Sequence, residues 1–325
     1  MSTPDFRVIA DSTDITAAIK RGLLSLRVTD EAGVGSDKVE IRLDDRGGKI
    51  ALPRTGAELD IALGYQETGL VRMGLYIVDE VSIASPPQSM TIRAHAADMR
   101  QMLKAPRTKT WGEVTLVDVV NEIAAAHGLE PKISSDMASI QLPYLTQTEE
   151  SDLHLLTRLA RNHGAITKPV HGKLLFVPKG QAKSVSGTLI EPVAIAGHQL
   201  TSWEATFADR DKYGSVQASF HNKQTAEKET IKVGDAQPAY TLRHTYDSAD
   251  QAKQNASAAL ERLKRGIGTL NISLPGDTRL MSEGKITLSG IRTGVDGEWI
   301  ATRVEHVLDS SGYQCRLDAE TPPQP

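Results

Sequence analysis

The sequence offers few of the residues on which redox, metal-binding or membrane proteins rely. Cys315 is the single cysteine among 325 residues, so the chain forms no internal disulfide and no thiolate zinc cage. Aromatic residues make up 4% of the chain, which argues against a stacking platform for single-stranded nucleic acid. No apolar run approaches the roughly 18 residues needed to span a bilayer, and the N-terminus has no secretory signal pattern. We therefore expect cytoplasmic synthesis and no membrane insertion by the chain itself.

The composition is that of a folded globular protein. Hydrophobic residues account for 39% of the chain and charged residues for 24%. The formal net charge of -4 gives no argument for nucleic-acid binding or membrane attraction, so we expect no sequence-specific nucleic-acid binding. A length of 325 residues predicts two or three domains.

Motifs for catalysis are absent from the sequence. It has no Gly-x-x-x-x-Gly-Lys-Ser/Thr loop, no Gly-x-Gly-x-x-Gly after a strand, no His-Glu-x-x-His and no Gly-x-Ser-x-Gly elbow. We therefore predict no catalytic residue, no cofactor-binding residue and no metal ligand, and we predict that the chain is not an enzyme.

Three histidines allow a chemical interpretation beside a structural one. His127 and His163 each precede a glycine that would end a helix, and there an imidazole complements the helix dipole, which we favour over catalysis. His244 begins a His-Thr-Tyr-Asp stretch that suits a general base. Because this stretch precedes a capped helix, a loop position is the simpler interpretation.

Two clusters of charged residues also allow a functional interpretation beside a structural one. Glu149, Glu150 and Asp152 form the densest carboxylate cluster, but glycosidases need carboxylates across a cleft, and we expect these three in the first turn of one helix. A basic group around Pro106 is interpreted as a solvated linker in preference to a binding patch; its members are Lys104, Arg107 and Lys109. Core or interface packing is the simpler role for the tryptophans, which are Trp111, Trp203 and Trp299.

Hydrophobic patterning divides the chain into three regions. In residues 1–105 apolar and polar residues alternate in short runs separated by turn signals, which predicts an antiparallel barrel or sandwich. Residues 106–180 predict a compact α/β unit with two helices and a hairpin. The first helix is capped by Thr115 with Asp118 and ends at Gly128. The second begins near Thr148 and ends at Gly164.

Residues 181–325 return to the strand pattern with one inserted helix, at about residues 248–265. Ser248 caps this helix, Gln251 completes a capping box and Gly266 ends it. Its buried stripe is rich in small residues and consists of Ala249, Ala252, Ala256, Ala259 and Leu263.

One β-rich pattern occurs twice. Residues 74–81 and 297–304 both read Gly-x-aromatic-Ile-x-x-x-Val. Each copy follows a short strand that ends in glycine and precedes a turn and another strand. A chain that carries two copies of one β module turns threefold symmetry into quasi-sixfold symmetry, which points to ring assemblies.

Residues 147–165, followed by Leu174-Leu175-Phe176, resemble the hallmark of the phage late control protein D family. Residues 23–30, residues 37–45 and the Gly-x-aromatic-Ile pattern at Gly74 resemble it too. These proteins are tail hubs of contractile-tailed phages. The resemblance implies a β-rich α+β fold with two tube-like antiparallel β-barrel modules separated by a small α/β domain.

The resemblance also implies a role in assembly. A homotrimer would form a pseudo-sixfold ring between the hexameric tail tube and a trimeric spike, in the virion baseplate assembled in the host cytoplasm. Its partners would be the tube, spike, tape measure and baseplate wedge proteins, with the spike a separate polypeptide. The alternatives are the hub of a phage-derived bacteriocin or other injection system, and a tail-associated cell-wall hydrolase. A polar strand face would line the lumen, and we expect it to include Glu40, Arg42, Asp44 and Asp60.

Overall fold

The described part of the chain is built largely of strands. The computed structural model describes residues 2–33, 37–48, 50–97, 103, 105–170, 172–179, 191–207, 213–222, 225–264 and 268–322, without the side chains of residues 170, 262 and 264. Lys104 and Gly266, which figure in the sequence predictions, lie outside these residues.

The first region contains seven strands and one short helix among its described residues. Its elements are β1 (Pro4–Ala10), β2 (Thr13–Asp14), α1 (Thr16–Lys20), β3 (Leu23–Glu31), β4 (Lys38–Asp44), β5 (Glu58–Tyr65), β6 (Gly69–Ala84) and β7 (Ser89–Ala96). The alternating pattern predicted β3, β4 and β5 correctly, whereas β1, β2 and the short helix were not predicted individually.

The middle region mixes strands and helices. Its elements are β8 (Pro106–Thr115), α2 (Leu116–Ala126), β9 (Glu130–Ile133), α3 (Ser135–Ala138), β10 (Gln141–Ser151), α4 (Asp152–Asn162), β11 (Ala165–Val170) and β12 (Lys173–Pro178). The capping box of Thr115 and Asp118 is confirmed at the start of α2. The hairpin of β11 and β12 is confirmed as well, and β9 pairs in parallel with β12.

The last region returns to strands. Its elements are β13 (Val193–Ala196), β14 (Ser202–Phe207), β15 (Ser215–Asn222), β16 (Glu227–Val233), β17 (Ala239–Tyr246), α5 (Ala249–Lys264), β18 (Gly268–Pro275), β19 (Lys285–Ser289), β20 (Gly297–Asp309) and β21 (Gly312–Glu320). The Ser248 cap of α5 is confirmed, since Ser248 Oγ accepts a hydrogen bond from the Gln251 backbone N–H at 3.3 Å.

A single sheet unites strands from the first and last regions. Its order is β14-β18-β21-β20-β3-β4-β7-β6-β5-β1-β2, and β19 pairs with both β20 and β13. One hydrophobic core lies on one face of this sheet and includes buried residues from both regions, such as Ile41, Ile61, Ile272 and Leu317. The division of these strands into two barrel modules stays a prediction.

The insertion in the last region is larger than the single helix that the sequence predicted. Strands β15, β16 and β17 form a separate three-stranded sheet, on which α5 packs. The predicted alanine stripe is buried there at Ala252, Ala256 and Ala259, because small side chains let the helix lie close to the sheet. The amphipathic pattern of a strand does not reveal which sheet the strand joins.

Three further sequence predictions were wrong. Helix α4 begins at Asp152 and not near Thr148, because Glu149 and Glu150 belong to β10 and Ser151 Oγ accepts the His154 backbone N–H at 3.2 Å. The segment after Pro106 is strand β8, paired with β10, and not a solvated linker. His244 lies in strand β17 and not in a loop.

The repeated pattern is confirmed as a repeated three-stranded meander. Strands β5, β6 and β7 pair in sequence, and so do β19, β20 and β21. Both pattern glycines have positive φ angles, 153° at Gly74 and 128° at Gly297. The register is also the same in the two copies: Gly74 lies opposite Ile61, Tyr76 opposite Leu59, Gly297 opposite Leu288 and Trp299 opposite Ile286.

The irregularities of the two meanders coincide as well. A register shift separates Val78 from Glu80 in β6, and another separates Ala301 from Arg303 at the same place in β20. Such bulges are specific features of a strand, so two at equivalent positions support a true duplication. The repeat continues outward, since β7 pairs with β4 and β4 with β3, just as β21 pairs with β18 and β18 with β14.

Candidate assembly site

The large sheet has a polar surface on the side away from its hydrophobic core. Side chains alternate across a strand, so the polar residues of β4 project opposite to its core residues, which are Val39, Ile41 and Leu43. Arg93 of β7 joins two acids on this surface. Its Nε donates to Glu40 Oε2 at 3.0 Å, and its Nη1 donates to Glu80 Oε1 at 2.7 Å.

A cavity of about 410 Å³ opens onto this polar surface. The strongly charged side chains in its lining are balanced in sign: Arg27, Lys38, Arg93 and Arg303 against Glu40, Asp79, Glu80 and Glu305. Paired opposite charges cancel at a distance, so the lining of this cavity carries no strong field of either sign.

The four residues predicted to line a lumen all lie outside the buried core. Glu40 is bound to Arg93, Asp44 to Arg46 and Asp60 to Arg72. Arg42 is exposed on β4. Their polar-face position is therefore confirmed, whereas the lumen itself stays a prediction.

The first and second copies of the repeat meet at the pairing of β3 with β20. The two strands are antiparallel, and Val28 lies opposite His306 while Leu26 lies opposite Leu308. Thr29 and Glu305, which face each other on the polar side, are 6% and 9% exposed. This junction is the point at which one sheet becomes continuous through both copies.

A partly buried ionic cluster connects the middle region to this junction. Lys168 Nζ, on β11, donates to Asp37 Oδ1 at 2.7 Å and to Asp30 Oδ1 at 2.9 Å. Ser282 donates to Asp30 through its backbone N at 2.8 Å and through its Oγ at 2.6 Å. One lysine thus links the α/β region to β3 and to the segment that precedes β4.

Burial and mutual repulsion give the two acids, Asp30 and Asp37, different pKa values. Burial, together with the negative charge of Asp30, raises the pKa of Asp37 to about 6. Burial acts against ionisation of Asp30 too, but Lys168 and Ser282 outweigh it and hold the pKa of Asp30 below its usual range. The charge of Lys168 is stabilised by both acids, which raise its pKa in spite of burial.

We expect the substitution Asp37→Asn to remove a pH dependence of stability. A raised acid pKa in the folded state stabilises the fold below the unfolded pKa, and this contribution is lost as pH rises through about 6. The melting temperature of the variant relative to the parent should therefore increase between pH 5 and pH 7, as measured by calorimetry.

Asp44→Asn is the matched control for this pH experiment. Arg46 holds the pKa of Asp44 below its usual range, so this carboxylate titrates at lower pH than the interval used. Its variant should differ from the parent by a constant amount from pH 5 to pH 7. A constant difference for Asp37→Asn as well would contradict the prediction.

A second buried polar network lies inside the α/β region. Asp152, 2% exposed at the start of α4, has its Oδ2 2.8 Å from His127 Nε2 and its Oδ1 2.7 Å from Arg107 Nε. Gln147 Nε2 donates to Asp152 Oδ1 at 2.8 Å and to the Glu150 carbonyl oxygen at 2.8 Å. The network joins the end of α2 to the start of α4 and to both strands of the β8–β10 pair.

This network resolves the interpretation of several candidate residues. His127 and His163 are confirmed at the C-terminal ends of α2 and α4, where each is the C-cap residue just before the glycine. Of the carboxylate cluster, Glu150 pairs with Arg158, and only Asp152 lies in a first helical turn. The role of this network is structural, because Asp152 lies under packed helices and strands.

The cysteine also lies in a buried polar group. Cys315 Sγ is 3.2 Å from His306 Nδ1, which lies 2.7 Å from the hydroxyl of Tyr313. Burial raises the pKa of the Cys315 thiol to about 11 and lowers the pKa of His306. A cysteine nucleophile needs a lowered pKa and access to solvent, so the geometry here favours packing.

The tryptophans divide between core and surface. Trp111 and Trp299 are buried, and their Nε1 atoms donate to Glu122 Oε2 and to the Val295 carbonyl oxygen, each at 2.9 Å. Trp203 on β14 is 43% exposed. Core packing is therefore confirmed for two of the three.

Two absences hold for the part of the chain that the structure describes. No group of three or more histidine, cysteine, aspartate or glutamate side chains is arranged to hold a metal ion. No helix in these residues is both long and apolar enough to cross a membrane.

Sequence reasoning missed the residues that join the regions. Lys168, Asp30 and Asp37 carry no motif, and they are brought together from three separate segments. A lysine at an alternate position of a β-strand is usually exposed, so its position alone did not indicate burial.

Comparison with known proteins identifies the family. The family model for the phage tail baseplate hub (GPD) matches residues 52–312. The chain is 32% identical to the probable baseplate hub protein of Escherichia phage P2, over 98% of this chain and 93% of that protein. It is 30% identical to the probable baseplate hub protein of Escherichia phage 186, over 98% of this chain and 92% of that protein.

A solved structure shows the same fold. The crystal structure of the 43 kDa tail protein of prophage MuSo2 from Shewanella oneidensis matches with a TM-score of 0.74 at 12% identity, covering 99% of both chains. Together with the family match and the two phage relatives, this confirms the resemblance found in the sequence. The chain belongs to the phage tail baseplate hub (GPD) family, the late control protein D family.

Proposed function

We propose that the chain is the structural hub of a contractile tail baseplate. Its two phage relatives are named as probable baseplate hub proteins and match it over nearly the whole chain. The described residues hold no metal-type cluster, and the one cysteine–histidine pair is buried with a raised thiol pKa. We propose that its role is mechanical, without a catalytic step, in keeping with the names of these relatives.

One observation carries the geometric part of the proposal. Two copies of a β meander follow one another in a continuous sheet, joined where β3 pairs with β20. Three such chains contribute six copies, so a closed homotrimer has the threefold symmetry of a spike and the pseudo-sixfold symmetry of a tube. In this hub residues 1–105 and 181–325 supply the tube-like modules, and residues 106–180 supply the α/β domain between them.

The proposed position in the particle follows from this ring. The hub lies in the virion tail baseplate, assembled in the host cytoplasm, with the tube protein on one side and the spike on the other. The tape measure and baseplate wedge proteins complete its contacts. The balanced charge of the cavity lining suits a lumen, because neither DNA nor a polypeptide is held by a strong field there.

We expect the purified chain to have the mass of a trimer, three times its 35.2 kDa, when light scattering is coupled to size exclusion. If the free chain is monomeric, adding the spike protein should produce the trimer, because the partner then acts as a template. A chain that stays monomeric with both tube and spike proteins present would contradict the hub proposal. Cleavage of cell-wall substrate in a zymogram would favour the hydrolase instead.

A further inference from the structure

Two strand edges of the large sheet are open in the subunit. Among the described residues, β14 pairs only with β18, and the second half of β6, Glu80–Ala84, pairs only with β7. Both edges carry large apolar side chains in water: Ile83 is 52% exposed, Trp203 43% and Phe207 53%. Open apolar edges of this kind invite pairing with another strand.

Because the β meander is duplicated, each open edge has an equivalent strand elsewhere in the same chain, and that equivalent strand has a partner. Strand β14 is the counterpart of β3. Strands β18 and β4 occupy the same position in the two copies, and β14 is the outer neighbour of β18 as β3 is of β4. The second half of β6 is the counterpart of the second half of β20, since each follows the same bulge. Inside the chain, β3 and the second half of β20 pair with each other.

We propose that β14 of one subunit pairs antiparallel with Glu80–Ala84 of a second copy of this chain. This inference rests on the proposed hub function and adds the residues that close its ring. Transferring the register of the β3–β20 junction gives the opposing residues, which are Val81 with Phe207, Ser82 with Thr206, Ile83 with Ala205 and Ala84 with Glu204.

The counterparts of the exposed residues show what this pairing would bury. Val81 corresponds to Val304 and Ile83 to His306, which are 0% and 3% exposed in the junction inside the chain. Trp203 corresponds to Leu26, which is 0% exposed. Exposure at the open edges therefore marks the places where the neighbouring strand is missing from the isolated subunit.

The shape of the β14 edge also fits an incoming strand. A groove of about 360 Å³ runs beside it, lined by Trp203, Ala205 and Phe207 on one side and by residues 292–295 on the other. Val81 and Ile83 lie on the core-facing side of β6, as their pairing with Ile92 and Met90 shows. In the proposed register both side chains reach this groove.

The two edges differ, so the contact is head-to-tail. A heterologous contact of this type forms a closed ring when its rotation matches the number of subunits. Junctions inside and between subunits then alternate around the ring, and no open edge remains at either position.

Disulfide crosslinking tests the register directly. Directly opposed residues on antiparallel strands have Cβ atoms about 4.5–5.5 Å apart, close enough for a disulfide after minor adjustment. The variant Ile83→Cys with Ala205→Cys should give covalent dimers and trimers on a non-reducing gel after oxidation with diamide. Cys315 is 0% exposed and remains in place.

Three controls make the crosslink specific. Each single cysteine variant should stay monomeric on the gel, because in a head-to-tail contact neither position meets itself. A mixture of the two single variants should give dimers only. The pair Ile83→Cys with Thr206→Cys places the thiols on opposite faces of the sheet and should not crosslink.

Substitution by charge provides a second measurement. Ile83→Asp and Trp203→Asp should each abolish the trimer at concentrations where the parent is trimeric, while the melting temperature of the subunit stays the same. Tyr144→Asp, at a position that is 65% exposed on β10, is the matched control and should remain a trimer.

The outcomes separate this inference from the hub function. A trimer that forms without the Ile83–Ala205 crosslink, or that crosslinks through the slipped pair, would overturn the strand pairing and leave the hub intact. A trimer that persists in both charge variants would also overturn the strand pairing and leave the hub function intact. A parent chain that forms no oligomer even with tube and spike proteins would overturn both proposals.

Discussion

Lys168→Met is expected to lower the free energy of unfolding by about 3 kcal/mol, the lower end for breaking a buried ion pair, because it leaves two partly buried carboxylates without this cation. Lys168 is 13% exposed as a side chain, and it forms ion pairs with Asp30 and Asp37 at 2.9 and 2.7 Å. Methionine keeps much of the apolar stem but supplies no charge and no donor. Guanidinium unfolding of the purified variant would measure the loss.

A matched lysine from the same small sheet serves as the control. Lys132 on β9 pairs with Glu130, and both side chains are substantially exposed. An exposed pair contributes about 0–1 kcal/mol, so Lys132→Met should change stability little. Adding Asp37→Asn to Lys168→Met should recover part of the lost stability, since it removes the repulsion between the negative charges of Asp37 and Asp30. Equal losses of unfolding free energy for the two lysine variants would show that the cluster around Lys168 contributes no more than an exposed ion pair.

The second large effect is expected at Trp299, the aromatic of the second copy of the repeat. It is 2% exposed, its Nε1 donates to the Val295 carbonyl oxygen at 2.9 Å, and its ring centroid lies 6.1 Å from that of Phe207. Trp299→Ala removes these contacts and leaves a cavity in the main core, at a cost of about 3–5 kcal/mol. Calorimetry of the subunit should show this as a large fall in melting temperature.

Trp203 provides the contrast. It is 43% exposed in the subunit, so Trp203→Ala should leave subunit stability nearly unchanged. If β14 is an edge between subunits, the same substitution should weaken the trimer. A large loss of subunit stability from Trp203→Ala, or none from Trp299→Ala, would contradict the assignment of these two tryptophans to surface and core.

Local sequence signals predicted elements reliably where one short-range interaction decides the structure. Thr115 with Asp118 and Ser248 with Gln251 mark helix starts, because a side-chain acceptor and a backbone donor lie within one turn of each other. Near Thr148 the same reasoning failed. Ser151 is the cap that the structure uses, and pairing of β10 with β8 extends to Ser151 and keeps the preceding residues in a strand.

The sequence by itself determined the alternating strands of the large sheet, the main helices, the repeated meander and the family, since these depend on the order and periodicity of neighbouring residues. Only the tertiary structure decided that β3 and β20 join both copies into one sheet and that Lys168 is partly buried between two acids. It also decided that, among the described residues, the outer edges of β14 and of the end of β6 have no partner strand. Pairing of distant strands and burial of a charge depend on contacts across more than a hundred residues of chain, and no local pattern encodes them.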